Sequence, residues 1–190
     1  LGAVAHHLVD ARREYFERVL KWLLAGNVRR GQLYPLCVGA ERTVQAQVVA
    51  AKAIELGSAT TAHGCTAAGN DQVRFEVALR TLAPGIEILA PVRDRAFKRP
   101  EQLAYLESRG LPVPPHGAAY STNRGLWGVT IGGRETLTSA GSIPESAWVL
   151  SPGAFDAPRA PRQLAIGFEN GVPVSLDGAA LDPVALIEAI

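Results

Sequence analysis

Between Arg12 and Ala25, apolar side chains recur at helical spacing: Phe16, Leu20 and Leu23 fall at i, i+4 and i+7, with Tyr15, Val19 and Trp22 alongside. Two overlapping stripes predict a helix covered on much of its circumference and stopped by Gly26-Asn27. A loop from Gly31 to Gly39, carrying Tyr34-Pro35, leads into a second predicted helix over residues 40–56, with Val44, Val48 and Ala51 on one face and Gly57 closing it. The short β-branched run at 58–62 predicts a buried parallel strand, and residues 71–82 a third helix closed by Pro84-Gly85. Residues 86–90 form another apolar run of strand length. Residues 100–109 make a further helix, with Pro100 in its first turn. Helix, strand, helix, strand, helix is the alternation of an α/β fold, a parallel sheet flanked by helices. Ligands in such sheets sit beyond the carboxyl ends of the strands.

After Pro115 the texture changes. Residues 116–162 are rich in Gly, Ser, Thr and Pro, carry Trp127 and Trp148, and show little periodicity. Runs at 163–168 and 172–176 then flank Asn170-Gly171, a strong hairpin signal, and a short helix follows from Pro183. A domain boundary is expected near residues 113–117, giving units 1–115 and 116–190. The length of 190 residues suits one large domain, or one domain and part of another. A net charge of +1 leaves no basic stripe for nucleic acid. No apolar run is long enough to cross a bilayer and no signal peptide opens the chain, so a soluble intracellular protein is expected. Cys37 and Cys65 lack paired spacing and are expected to be small buried hydrophobes, with no metal; His6-His7 is expected at the surface. The sequence contains no methionine and ends at Ile190 without a capping glycine or polar tail, which predicts a piece of a longer protein.

Candidate chemistry gathers at His63-Gly64-Cys65-Thr66-Ala67-Ala68-Gly69-Asn70-Asp71-Gln72-Val73-Arg74-Phe75-Glu76, between a predicted strand and a predicted helix. A helix N-terminus reached over glycines presents backbone N–H groups and a positive dipole end to an anion. Asn70 is a plausible N-cap and Asp71 complements the dipole, so a well-capped helix is one reading. The other is a small-molecule site: a threonine hydroxyl, an amide, a carboxylate and an arginine suit an amino acid, because arginine forks a carboxylate and Asp pairs with an ammonium.

This run resembles the His-Gly-x-Thr-Gly-Lys-Gly-Asn-Asp-Gln-Val-Arg-Phe-Glu signature of the argininosuccinate synthase family. Tyr34-Pro35-Leu36 with Arg42 is similar to that family's Tyr-x-Leu … Ala-Arg-Pro, and Ala90-Pro91-Val92-Arg93 to its Ala-Pro-Trp-Arg. Residues 105–114 resemble Tyr-x-x-x-x-Gly-Ile-Pro-Val-Pro, and Tyr120-Ser121 with Leu126-Trp127 resembles Tyr-Ser-x-Asp-x-Asn-Leu-Trp. The resemblance implies a pyrophosphatase-loop (adenine nucleotide alpha hydrolase-like) nucleotide-binding domain, incomplete at its start, and part of an α+β synthetase domain. It implies an ATP-dependent ligase, with Mg²⁺ accompanying ATP, that joins citrulline and aspartate through a citrullyl-adenylate in arginine biosynthesis. A cytoplasmic homotetramer without nucleic-acid or membrane partners is implied as well. By matching positions Gly64 would approach ATP; Thr66, Asn70 and Asp71 would hold aspartate; and Tyr34, Asn70, Arg74, Ser121 and Thr130 would face citrulline.

Several positions depart from the resembled pattern. Ala67-Ala68 replaces Gly-Lys, Gly39 a citrulline-binding serine, Asn123 an aspartate, Thr130 a serine, Gly132 a glutamate and Val92 a tryptophan. The aspartate side is kept better than the citrulline side. The family's Ser-Gly-Gly-Leu-Asp-Thr-Ser pyrophosphate loop is absent from these 190 residues, which are therefore expected not to catalyse the reaction alone. A ligase and a non-catalytic homologue that binds a nucleotide or amino acid, or serves as an assembly partner, are the two function classes that follow.

Overall fold

The computed structural model describes residues 2–67, 69–113, 119–151, 153 and 160–190; Leu1, Ala68 and most of the expected boundary at 113–117 lie outside the described residues. The first helical rod combines α1 (Arg12–Tyr15), a π-helical turn (Phe16–Leu20) and α2 (Lys21–Ala25). A π turn accommodates an extra residue. Here Tyr15, Phe16 and Leu20 are all buried, while Trp22 is exposed beneath the Lys21 ammonium. The rod is thus covered on one side, not around most of its circumference.

Helix α3 (Gly39–Glu55) ends as predicted: Gly57 takes φ +61° and the Ser58 N–H reaches back to the Ala53 carbonyl at 2.9 Å. Its buried positions are Val44, Ala46, Ala50 and Ala53: of the expected Val44–Val48–Ala51 face only Val44 is buried, and an alanine stripe is buried beside it. Small side chains let α4 (Asp71–Leu82) come close, and Ala46, Ala50, Leu79 and Ala83 form one core with Phe75, Ile86 and Ile88 packed on it. The preference for small residues outweighs the larger apolar surface of valine because the two backbones must approach.

Strand β1 (Thr60–Ala62) pairs in parallel with β2 (Glu87–Leu89), matching Thr60 with Glu87 and Ala62 with Leu89. β1, α4 and β2 therefore make a βαβ unit whose crossover helix begins at the candidate turn. The expected α/β pattern holds, though β1 is half-buried or exposed along its length instead of fully buried. Two short helices follow, α5 (Pro91–Asp94) and α6 (Arg99–Ser108).

An antiparallel hairpin, β3 (Tyr120–Gly125) and β4 (Gly128–Gly133), then occupies a stretch without visible periodicity. Beyond it β5 (Ile166–Glu169), β6 (Val172–Leu176) and β7 (Ala179–Ala180) form an antiparallel sheet. Asn170-Gly171 turns the first corner with φ of +49° and +78°, as a two-residue hairpin loop requires. Asp182 caps α7 (Pro183–Ala189), its carboxylate accepting the Val184 N–H at 2.9 Å.

A second core joins the two parts of the chain: Tyr15, Phe16, Leu20, Val44 and Val184, with Leu126, Trp127, Val172 and Ile187 packed against them. The Trp127 indole donates to the Pro35 carbonyl at 3.0 Å, and Arg99 donates to the Tyr120 carbonyl at 2.6 Å. The accessible surface is 12,992 Å², against about 8,700 Å² for a compact monomer of 20.1 kDa. Part of the excess is apolar, including Ile54 on α3 and Val73 and Val77 on α4, whose outer faces are uncovered.

Candidate functional site

The turn after β1 is held at both ends. The His63 N–H continues the ladder to the Leu89 carbonyl at 3.0 Å, and the His63 ring stacks on Phe75 of α4 with centroids 6.2 Å apart. His63 Nδ1 accepts the Cys65 N–H at 3.3 Å; Nε2 is buried without a partner among the described residues. Gln72 donates from the first turn of α4 to the Ala67 carbonyl at 2.7 Å. Between these anchors Gly64 faces open space, with nothing within 4 Å of where a Cβ would stand. Thr66 is exposed, its hydroxyl beside Gly69.

Asn70 sits at the N-cap position of α4 but does not cap it. Its φ and ψ of −77° and −16° are already helical, and its side chain makes no capping hydrogen bond. An N-cap side chain reaches the N–H of N2 or N3 from the extended region, so the helical backbone removes that option. The capped-helix reading fails here, and the amide stays exposed at the turn.

Asp71 is the best-anchored carboxylate of the site. Its Oδ1 accepts from Arg74 Nη1 at 2.7 Å and its Oδ2 from Arg42 Nε at 3.1 Å. Arg74 therefore pairs with Asp71, three residues back on its own helix, while Glu76 is held by Arg80 and Arg93. Arg42, on α3, reaches three elements: besides Asp71 it donates to Gln45 Oε1 at 3.1 Å and Glu41 Oε1 at 3.3 Å, and to Asn123 Oδ1 on β3 at 2.7 Å. The side chains of Arg42 and Glu41 are each 13% exposed. Burial holds the Glu41 carboxyl above its ordinary value despite Arg42, and the nearby Asp71 charge adds to the rise.

Alternation along β3 puts Ser121 and Asn123 on one face of the hairpin, opposite Gly132 and Thr130. Arginine only donates, so the Asn123 oxygen faces Arg42 and the amide nitrogen faces the Thr130 hydroxyl at 3.4 Å. Ser121 and Gly132 line a cavity of about 520 Å³ together with Thr66, Gly69 and Val92, while Lys98 and Arg99 bring positive charge to its wall. Candidates more than fifty residues apart in sequence, Thr66 and Ser121, thus share one cavity.

Tyr34 accepts the Val38 N–H on its hydroxyl at 3.3 Å, and burial pushes its phenol up. A Cβ at Gly39 would stand 3.7 Å from the Arg74 guanidinium, so the residue that replaces the resembled serine adjoins a candidate ligand group. Cys37 is buried as expected; Cys65 is only half-buried, and both are free thiols. Desolvation, with Asp71 nearby, pushes the Cys65 thiol up, which disfavours the nucleophilic thiolate. Among the described residues no group of His, Cys, Asp or Glu could hold a metal ion. Side chains that the sequence did not place in the site include Glu41, Arg42 and Gln45; their position on the first turns of α3 was visible, but not that α3 faces the start of α4.

Two family models cover most of the chain: the "Arginosuccinate synthase N-terminal HUP domain" matches residues 1–112 and the "Arginosuccinate synthase C-terminal domain" residues 120–190. Among similar curated proteins, the argininosuccinate synthase of Symbiobacterium thermophilum is 39% identical over 100% of this chain and 48% of its own length. That of Metallosphaera sedula is 37% identical over 100% and 48%, and that of Methanocaldococcus jannaschii 36% identical over 99% and 47%. The chain spans about half the length of these curated relatives. No helix among the described residues is long and apolar enough to cross a membrane.

Proposed function

The chain belongs to the argininosuccinate synthase family, and from that premise we propose that the protein carrying it is a ligase of arginine biosynthesis that joins citrulline and aspartate using ATP. In the proposed reaction the ureido oxygen of citrulline attacks the α-phosphorus of ATP, supplied as its Mg²⁺ complex, and pyrophosphate leaves. The aspartate amine then attacks the ureido carbon of the citrullyl-adenylate, and AMP leaves with the C–O electron pair.

The observation that carries this reading is the shared cavity, lined by both the aspartate candidate Thr66 and the citrulline candidate Ser121. Two substrates that must react need that convergence. Asp71 keeps lone pairs beyond the two taken by Arg42 and Arg74, and these suit the aspartate ammonium. Asn70, freed from capping, offers both an amide donor and an acceptor. Tyr34, Arg74, Ser121 and Thr130 form the citrulline side, and Gly64 leaves room for ATP to approach the backbone. A boundary near residue 115, a homotetramer and a cytoplasmic setting complete the proposal. These 190 residues contain no Ser-Gly-Gly-x-Asp run, so the isolated polypeptide is proposed to be inactive.

A second reading draws support from Gly39, where the loss of a hydroxyl beside Arg74 changes the citrulline wall: a paralogue with another acceptor, or a homologue without catalysis. One experiment on the full-length protein separates the readings. Pyrophosphate release from ATP that requires citrulline and leads to argininosuccinate with aspartate supports the ligase. Calorimetric binding of aspartate without citrulline assigns the paralogue, and binding of neither amino acid overturns both uses of the site.

A further inference from the structure

Three differences from the resembled pattern meet at one guanidinium. Glu41 stands at the alanine of Ala-Arg-Pro; Asn123 and Gly125 stand at the aspartate and asparagine of Tyr-Ser-x-Asp-x-Asn-Leu-Trp. Arg42 donates directly to Glu41 at 3.3 Å and to Asn123 at 2.7 Å. The third position is tied in by sterics, because a Cβ built on Gly125 would collide with the Glu41 carboxylate. That carboxylate is tethered: Gln45 Nε2 and Arg42 Nη1 both donate to its Oε1, at 2.7 and 3.3 Å.

We propose that Glu41 is a positioning residue for the aspartate site, supplying from α3 the carboxylate that the resembled pattern carries at position 123 and so holding Arg42 against Asp71. What the site binds rests on the ligase reading above; the compensation between positions 41 and 123 does not. Charge makes the exchange specific. In this chain Arg42 and Arg74 face Glu41 and Asp71, two positive groups against two negative, and the side chains of Arg42, Glu41 and Asp71 are at most 27% exposed. The resembled pattern carries a carboxylate at 123 and none at 41. A carboxylate at both positions leaves one negative charge in excess, and at neither leaves a positive one; an unmatched charge with so little solvent is costly. Gly125 completes the move, since a side chain there would take the space of the Glu41 carboxylate. Three departures that look independent in sequence are thus one relocation, and the relocation keeps Arg42 on Asp71 at 3.1 Å.

The test compares full-length wild type with Glu41→Ala, Asn123→Asp, the double variant, and the double with Gly125→Asn added to refill the space that Glu41 vacates. Aspartate and ATP affinities are measured by calorimetry and thermal midpoints by scanning calorimetry. Each single substitution is expected to weaken aspartate about tenfold or more and leave ATP within about twofold; the double or triple variant returns aspartate to within about threefold of wild type. A double and triple no tighter for aspartate than Glu41→Ala overturn the proposal. Recovery of the midpoint without recovery of aspartate affinity also overturns it, because Glu41 then serves only stability. Should wild type bind no aspartate, the ligase reading falls, and the midpoints decide the compensation alone: recovery in the double supports it, and additive losses refute it.

Discussion

Replacing Arg42 by methionine tests whether one guanidinium couples α3, α4 and the β3–β4 hairpin. The substitution keeps the apolar stem, so packing changes little and the loss is mainly polar. Four hydrogen bonds go with it, to Asp71, Gln45, Glu41 and Asn123. Asp71 retains Arg74 at 2.7 Å, whereas Glu41, 13% exposed, loses its cation. Removing one partner of a fully buried pair costs ~3–5 kcal/mol, so ~2–4 kcal/mol is expected for this partly relieved case. Urea denaturation of the full-length protein provides the measurement, and Arg80→Met the control. Arg80 pairs with Glu76 at 2.7 Å while its own side chain is 68% exposed. An exposed pair of that kind is worth ~0–1 kcal/mol after solvent screening. If Arg42→Met costs no more than Arg80→Met, the guanidinium is not a structural hub and the coupling drawn between the two parts of the site is wrong.

Two further outcomes follow from local chemistry. Because the Glu41 carboxyl titrates above its ordinary value of 4.5, the native state holds more protons than the unfolded chain in the window just above it, and stability attributable to this group falls as pH rises through that window. The stability of wild type relative to Glu41→Gln should therefore decline between pH 4 and pH 7 in urea titrations; a relative gain over that range contradicts the burial argument. Gly171→Ala forces an L side chain into φ +78° and brings its Cβ to 3.1 Å from that of Ala25, so a loss of about 1–2 kcal/mol is expected in urea denaturation, and no measurable loss would show that the turn relaxes freely.

Much of the α/β part is legible from local signals. The third helix is predicted at residues 71–82 and observed as Asp71–Leu82, because a turn rich in Gly and Asn precedes it and Pro84 follows. Asn170-Gly171 likewise fixes its hairpin, since few dipeptides accept two positive φ angles. The β3–β4 hairpin escaped because glycines at 125, 128, 132 and 133 dilute the alternation that marks a strand. On α3 the expected Val44 is buried, in the core with Tyr15 and Phe16, but Val48 and Ala51 are not: valines carry the larger hydrophobic signal, whereas the close seam with α4 selects Ala46 and Ala50. In the site, the residue types at 63–76 announced a polar turn, and the family resemblance announced its candidates. Neither could show that Asp71 is already held by two arginines, because the pairing of residues 42 and 71 depends on how two helices pack. Capping was misjudged at Asn70 since residue type reports preference, whereas the backbone dihedrals decide.

One indole bond links the segment bearing Tyr34 to the tip of the hairpin bearing Ser121 and Thr130, by way of Trp127 and Pro35. The Tyr34 segment and the tip of the hairpin are therefore moored to each other. Displacement of either one pulls on the other, so a change in the spacing between them calls for a matching change at the mooring.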